Sequence, residues 1–265
     1  MGESKNWGEG ENLYRALMDS NVIPSQEPAR LSISVGTLKA IFHFNDYNRD
    51  QFVASIARQL SPGIKILDAG AGPCRYKPLF QHCQYKSQDF AQYQGTEHRY
   101  GQLDYVGDLT NIPVADGYFD CVLCTEVLEH IPEPELAIRE FGRILKAGGM
   151  LVLTAPLGSG IHMAPYHYFG GFSRHWYEYV LPKHGFETKS IQPNGGFFKL
   201  YGQESQRFLT ILTPRSTVAR LLFLPVKIAL ALWFRLLMPL VGYLLDPLDR
   251  QRDFTVGYFV VASRK

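Results

Sequence analysis

The sequence lacks a strong imbalance of charge. It has 27 lysines and arginines against 25 aspartates and glutamates, which gives a net charge of +2 over 265 residues. Proteins that bind nucleic acid usually carry a clear basic excess, so no nucleic-acid partner is predicted. The chain also lacks a basic start followed by an apolar run, the pattern of a secretory signal. We therefore expect a cytoplasmic location.

Cysteine is scarce. The four cysteines are Cys74, Cys83, Cys121 and Cys124, and the last two form a C-x-x-C pair of the kind used by zinc and redox sites. That pair lies inside "FDCVLCTEV", which has the composition of a strand. Residues three apart on a strand point to opposite faces, so the two sulfurs would not share a metal ion. We predict buried, reduced thiols and no metal site.

The glycine loop in "KILDAGAGPCRY" lacks the third glycine of a nicotinamide site. An apolar strand ends on Asp68, and Gly70 and Gly72 follow it. The nicotinamide fingerprint is G-x-G-x-x-G, and Arg75 stands in the place of its third glycine. The charge of Asp68 would also repel a pyrophosphate. These features argue against a nicotinamide oxidoreductase and favour a ligand that presents a positive group to the acid.

Short apolar strands alternate with helical segments along most of the chain, which predicts an α/β fold with a parallel sheet covered on both faces. We assign residues 1–45 to an N-terminal extension and 46–265 to one domain, with an apolar helical insertion at 198–250 before the last strand. Strands are predicted at 64–70, 84–90, 102–109, 118–127, 150–156, 187–198 and 254–263. Helices are predicted at 49–60, around Leu79 and Phe80, at 133–146 with Gly148 and Gly149 closing it, and at 172–187.

Three motifs carry a resemblance to a known family. "LDAGAGPC", "SQDF" and the long segment from "VGDLTNIP" to "MLVLTAP" resemble the type 11 methyltransferase domain of the class I S-adenosylmethionine-dependent methyltransferases, over roughly residues 64–187. The resemblance implies a Rossmann-like open seven-stranded sheet, mostly parallel, with an antiparallel last strand, and S-adenosylmethionine as cofactor. The resemblance implies that Asp68 binds the α-ammonium of the cofactor and that the backbone approaches the cofactor closely at Gly70 and Gly72. It implies that Asp89 binds the ribose hydroxyls and that Asp108 binds the adenine amino group. Leu109 would supply a backbone contact, and Thr125 and Glu126 would line the cofactor.

The loop after the fifth strand, "GIHMAPYHYFGGFSRHW", is the expected place for the methyl acceptor. It resembles an H-x-x-P-Y-D-Y-x-R-Y-T loop of type 11 enzymes encoded near polysaccharide-assembly genes, but His167 replaces the acid and Gly170 the arginine. The candidate catalytic residues are His162, Tyr166 and His167. His130 either stabilises the loop after the fourth strand or faces the acceptor. The implied acceptor is a small molecule or a glycan, with a lipid-linked one included. A non-catalytic cofactor-binding or adaptor protein on the same fold is the alternative.

An apolar stretch at 218–245 interrupts this pattern before the last strand. Arg220, Lys227 and Arg235 break it up and fall on one narrow stripe of a helical wheel, so no membrane span is predicted. Pro225 and Pro239 are expected to kink or divide it. Two interpretations remain open: an interfacial helix pair that makes a peripheral contact with anionic lipid, or a lid or dimer face. The oligomeric state is not predicted.

Overall fold

The computed structural model describes residues 35–95, 100–212 and 216–265, without the side chains of 219–222. Within those ranges the chain divides into two compact units. The first comprises residues 51–192 and 257–265, and the second comprises 35–50 and 193–256. Most of the predicted N-terminal extension, and the start of the chain from which no signal was predicted, lie outside the described residues. The boundaries at residue 46 and at 198–250 stay predictions.

The first unit is built on a sheet of seven strands in the order β3-β2-β1-β4-β5-β7-β6. The pairs β1–β2, β1–β4, β2–β3 and β4–β5 are parallel, and β7 is antiparallel to β5. This confirms the predicted mostly parallel sheet with an antiparallel last strand. The strands are β1 Lys65–Ala69, β2 Gln84–Asp89, β3 Tyr105–Val106, β4 Phe119–Thr125, β5 Leu145–Pro156, β6 Phe186–Pro193 and β7 Gly257–Arg264.

Helices flank the sheet and fill the second unit. The described α-helices are α1 Val35–Phe42, α2 Phe44–Gln59, α3 Pro134–Ile144, α4 Arg174–Lys183, α5 Phe197–Ile211, α6 Thr217–Ala231 and α7 Met238–Leu245. A π-helical turn, Leu232–Leu237, joins α6 to α7, and 3-10 turns lie at Lys77–Phe80, Leu128–His130 and Asp246–Leu248. Sequence patterns predicted α2, α3 and α4, but left α1 unassigned because its short segment has no clear period.

The two cysteines of the C-x-x-C pair lie on opposite faces of β4. Cys121 packs in one buried cluster with Ile66 and Val152, and Cys124 packs in the other with Leu67. All four cysteines are free thiols, and burial raises the pKa of Cys121 and Cys124. Cys121 and Cys124 are therefore buried thiols on opposite faces of the sheet, as predicted, and Cys83 is half-buried.

Two predicted features around glycine differ from the structure. The helix expected after the glycine loop is a single 3-10 turn, because hydrogen bonds there span three residues and Pro78 stands at its start. Gly148 and Gly149 do not close α3. They lie inside β5, where the register with β4 shifts between Phe119 and Cys121. Gly148 has a φ of +75°, so the glycine pair lies in an irregular part of the ladder between β4 and β5.

The apolar segment of the second unit is more continuous than its sequence predicts. Pro225 lies inside α6 and Pro239 lies in the first turn of α7, directly after the π-helical turn. Residues Phe223–Leu248 form one helical run of 26 residues that is long and apolar enough to cross a bilayer, by length and composition alone. The expectation that the segment is too interrupted for such a run is therefore wrong, because the π-helical turn accommodates Pro239 without ending the helix.

Candidate active site

The glycine loop is folded back onto the end of β2. The backbone N–H of Gly70 donates to the Gln88 carbonyl at 2.8 Å, and that of Gly72 donates to Oδ2 of Asp89 at 2.9 Å. Both glycines have positive φ, +77° and +50°. A Cβ on Gly70 would lie 2.4 Å from a methyl of Val127. The loop therefore needs glycine at position 70 for both conformation and space.

Asp68 is a buried carboxylate at the end of β1, with 2% of its surface exposed. Its pKa is raised to about 6, mainly by burial and further by the negative charge of Asp89. The hydroxyl of Tyr85 opposes this rise, because it donates a hydrogen bond to Oδ2 of Asp68 at 2.5 Å. The carboxyl group is still mostly ionised at neutral pH. A buried carboxylate of this kind is suited to pair with a cationic group of a ligand.

Asp89 and Asp108 follow the ends of neighbouring strands. Asp89 is buried, and its second oxygen accepts the N–H of Ala91 at 3.1 Å, so each carboxylate oxygen keeps a lone pair for a further donor. Asp108 is exposed and accepts both the N–H and the hydroxyl of Thr110 at 2.8 Å. Leu109, between Asp108 and Thr110, is buried with 7% of its surface exposed. The contacts of these three residues with ribose and adenine stay predictions.

Thr125 and Glu126 lie where β4 ends, beside β5. The N–H of Glu126 donates to the Thr154 carbonyl, and the Thr154 hydroxyl donates to Oε1 of Glu126, both at 2.8 Å. Glu126 has a φ of +54°, which marks a sharp turn at this edge of the sheet. Because β1, β2 and β4 are parallel, their ends and the acids that follow them lie along one edge.

The loop after β5 is closed on itself and tied to the loop after β4. Ser159 donates its N–H to the Gly170 carbonyl at 2.6 Å, which brings the two ends of the loop together. The N–H groups of Tyr168 and Phe169 both donate to the carbonyl of Glu129, at 2.9 and 3.2 Å. The predicted acceptor loop is therefore held against the turn Leu128–His130, at the carboxyl edge of the sheet.

Three histidines meet at this loop, His162 and His167 from the loop itself and His130 from the turn after β4. The ring centroids of His162 lie 4.7 Å from those of His130 and His167. Nδ1 of His130 lies 2.6 Å from the Tyr166 carbonyl, so His130 stabilises the loop. The pKa of His167 is lowered by burial and by its neighbour His162. His175, in the same sequence segment, lies exposed on α4 and pairs instead with Glu178.

An aromatic cluster links the acceptor loop to the end of β2, and sequence reasoning missed it. The ring of Tyr166 meets Phe90 edge-on at 4.9 Å between centroids and lies 6.4 Å from Tyr93. Phe90 directly follows Asp89, so the acceptor loop and the predicted cofactor edge are neighbours. The place of Phe90 next to a strand end was the one available signal. Nothing in the sequence pairs Tyr85 with Asp68.

Comparison with known proteins supports the family suggested by these motifs. Residues 67–153 match the methyltransferase domain family. The sarcosine/dimethylglycine N-methyltransferase of Halorhodospira halochloris is 25% identical over 165 residues, which cover 57% of this chain and 52% of that protein. The chain thus spans about half the length of this relative.

Solved structures share the fold at low sequence identity. A candidate sarcosine dimethylglycine methyltransferase of Galdieria sulphuraria matches with a TM-score of 0.51 and 15% identity, over 83% of this chain and 86% of that one. The [4+2]-cyclase SpnF matches with a TM-score of 0.51 and 19% identity, over 83% of each chain. These likenesses concern the fold alone.

The strand order, the matched segment and the motifs agree with one another. They support a class I S-adenosylmethionine-dependent methyltransferase, as the sequence resemblance predicted. S-adenosylmethionine is the cofactor of that class. The residues at the carboxyl edge fit it, since Asp68 is a buried carboxylate next to a loop whose glycines leave the backbone open.

Proposed function

We propose that this protein transfers the methyl group of S-adenosylmethionine to a small-molecule or glycan acceptor. The observation that carries the proposal is a glycine loop between two buried carboxylates, Asp68 at the end of β1 and Asp89 at the end of β2. The ammonium of the cofactor would pair with Asp68, and the ribose hydroxyls would donate to Asp89. Gly70 and Gly72 allow the close approach that both contacts need.

Methyl transfer is an in-line displacement. A bond forms between the acceptor and the methyl carbon while the carbon–sulfur bond breaks, and the sulfur keeps that electron pair. Because the sulfonium is already activated, alignment of the three atoms supplies much of the rate. The loop that carries His162, Tyr166 and His167 would hold the acceptor for that approach. A general base is needed only when the acceptor must lose a proton.

The acceptor loop suits a flat or ring-shaped molecule with hydroxyl groups. Tyr168 and Phe169 keep 48% and 37% of their surface exposed, and His162 is exposed beside them. Aromatic faces pack against sugar rings or aromatic rings, and imidazole nitrogens can hydrogen-bond hydroxyl groups. This combination supports a small-molecule or glycan acceptor over a peptide or nucleic acid.

The apolar helical run of the second unit supports a lipid-linked acceptor and a peripheral membrane contact. Leu232, Leu236 and Leu244 keep 59%, 50% and 64% of their surface exposed. Single exposed leucines are common, but a continuous row marks a contact surface. Arg235 lies at the middle of the run Phe223–Leu248. A span would put its charge at the bilayer centre at a cost of about 3 kcal/mol, so we favour a helix lying in the interface.

A non-catalytic role on the same fold is the second candidate. It is favoured by the acceptor loop, where His167 and Gly170 replace the acid and the arginine of the similar loops. In that case the protein would bind the cofactor without transferring its methyl group.

Titration with S-adenosylhomocysteine, followed by transfer of labelled methyl from S-adenosylmethionine to fractions of a cell extract, tests both candidates. We expect a micromolar dissociation constant, on the order of −8 kcal/mol, and a labelled small molecule or glycan. NADH serves as the control ligand and should not bind. Binding without label in any fraction favours the non-catalytic role. Failure to bind S-adenosylhomocysteine overturns the proposal.

A further inference from the structure

The three histidines at the acceptor loop form a cluster that methyl transfer alone does not require. One ring nitrogen from each of His130, His162 and His167 lies within 4.8 Å of the other two. His130 comes from the turn after β4, and the other two come from the loop after β5. We propose that these histidines bind a divalent transition-metal ion of the zinc type, with at least one coordination position left open towards the acceptor.

Hydrogen bonds fix which nitrogen two of the rings offer. Nδ1 of His130 lies 2.6 Å from the Tyr166 carbonyl, and Nδ1 of His162 lies 2.9 Å from the Gly160 carbonyl. A carbonyl oxygen only accepts, so each Nδ1 must carry the proton. Nε2 is then the unprotonated nitrogen of each neutral ring and the one that can coordinate a metal ion. Metal-binding histidines are commonly oriented in this way, with the second nitrogen donating to a carbonyl.

The third ring has a polar atom that the protein leaves unsatisfied. Nδ1 of His167 is buried and has no hydrogen-bond partner among the described residues. A buried nitrogen without a partner is costly, and a bound cation would remove that cost. The carboxylate of Glu129, 1% exposed, has an oxygen 3.8 Å from Nε2 of His130. Its negative charge favours a cation at this place.

The geometry needs only a local contraction to bind an ion. In a tetrahedral zinc site the ligand nitrogens are about 3.3 Å apart, since each lies about 2.0–2.1 Å from the metal. The spacing of up to 4.8 Å therefore has to shrink. His162 is exposed on a loop, so its side chain has room to turn inward. Three imidazoles favour zinc, iron, cobalt or nickel over magnesium or calcium, which prefer oxygen ligands.

This inference rests on the proposed function for its chemical role. Three protein ligands leave a position for water or substrate, as in catalytic zinc sites. An acceptor hydroxyl bound there through oxygen would lose its proton to solvent more readily. The oxygen would then form the bond to the methyl carbon while the carbon–sulfur bond breaks and the sulfur keeps the electron pair. The products are a methyl ether, S-adenosylhomocysteine and a proton.

Titration of the full chain with zinc and with cobalt, after removal of metal by a chelator, tests the site without any activity assay. We expect one ion per chain with a submicromolar dissociation constant. The bound cobalt should show the visible absorption bands of a nitrogen-ligated ion and no thiolate charge-transfer band. This spectrum distinguishes binding at the histidines from binding at the thiol of Cys83. His130→Ala, His162→Ala and His167→Ala should each weaken binding at least a hundredfold.

The matched control is His175→Ala, which removes an exposed histidine outside the cluster and should leave metal affinity unchanged. Titration with S-adenosylhomocysteine monitors the fold of every variant and tests the proposed function separately. A protein that binds S-adenosylhomocysteine but neither zinc nor cobalt overturns the metal site and leaves the methyltransferase assignment standing. The site is also overturned if zinc binds equally well to all three histidine variants.

Discussion

The carboxylate of Asp68 is buried, so its protonation should govern cofactor binding. Its pKa is raised to about 6, mainly by burial. The cofactor ammonium pairs with the ionised form, so affinity is full well above that pKa and falls as pH drops through about 6. We expect the affinity for S-adenosylhomocysteine to be constant from about pH 7 to 8 and to fall by up to tenfold per pH unit below 6.

Calorimetric titration across this pH range checks the prediction, and Tyr85→Phe is the informative variant. Tyr85 donates to Asp68 and opposes the rise of its pKa. Loss of that donor should move the fall in affinity to higher pH. A flat profile from pH 5 to 8 would show that the charge of Asp68 does not contribute.

Two acids should each be needed for tight cofactor binding. Asp68→Ala and Asp108→Ala are expected to weaken S-adenosylhomocysteine binding at least tenfold, about 1.4 kcal/mol, because each leaves a polar group of the ligand unpaired. Asp253→Ala, at an exposed aspartate of the second unit, is the control. Unchanged affinity in both test variants would contradict the roles that the family resemblance implies.

His167 is, with His162, a candidate for a group that acts on the acceptor. His167→Ala should lower turnover by about a hundredfold or more and leave cofactor affinity alone, if the residue moves a proton or holds the reacting oxygen. Turnover with the identified acceptor, compared with that of His175→Ala, measures this. A loss of only a few-fold would make alignment, and not His167, the basis of catalysis.

At the level of elements, one serine explains how the helix passes Pro239. In a π-helical turn the carbonyl of residue 234 would accept from the N–H of residue 239, and proline has none. The Ser205 hydroxyl lies 2.8 Å from the Phe234 carbonyl and equally close to that of Gly202. It therefore supplies a donor that the helix lacks.

Ser205→Ala should lower the free energy of unfolding of the protein by about 1 kcal/mol, the usual range for a hydrogen bond of this kind. Pro239→Ala restores a backbone N–H at position 239, so the serine should matter less in that background. Denaturant unfolding of the two single variants and the double variant gives the coupling energy. Additive effects would mean that Ser205 does not compensate for Pro239.

Sequence patterns predicted the elements whose signal is local. The apolar stripe Phe52, Val53, Ile56, Ala57 and Leu60 is buried as expected for α2. The π-helical turn and the irregular part of β5 at Gly148 were not predictable, because both depend on partners from other elements. In the site, the acids at strand ends followed from chain order. The donor to Asp68 and the meeting of His130 with His162 did not, since they depend on how loops fold together.

At the scale of the whole molecule, we predict binding to the surface of an anionic membrane. We expect cosedimentation with anionic vesicles that weakens as salt rises, since each basic residue near the surface contributes about 1 kcal/mol and is screened. Lys227 and Arg235 are exposed, while the side chain of Arg220 lies outside the described residues. The π-helical turn also changes the angle around the helix axis between Lys227 and Arg235 from its value in a regular α-helix.

Replacement of Arg220, Lys227 and Arg235 by glutamine should nearly abolish vesicle binding and leave cofactor binding intact. The alternative, a lid or dimer face, predicts no vesicle binding at any salt concentration. It also predicts altered turnover or subunit association when Leu232 or Trp233 is made polar. A protein that stays in the supernatant with purely anionic vesicles at low salt is not a peripheral membrane protein.

The place of β7 between β5 and β6 has a consequence for how the chain is made. Residues paired across β5 and β7, such as Leu151 and Ala262, are about a hundred positions apart, and residues 193–256 of the second unit are synthesised between them. On the ribosome, β5 must wait with one edge unpaired until residues 257–264 emerge. An apolar strand with an open edge is a target for chaperones and for aggregation. We therefore expect nascent chains lacking β7 to be captured by chaperones, and completion of the sheet to be a late step of folding.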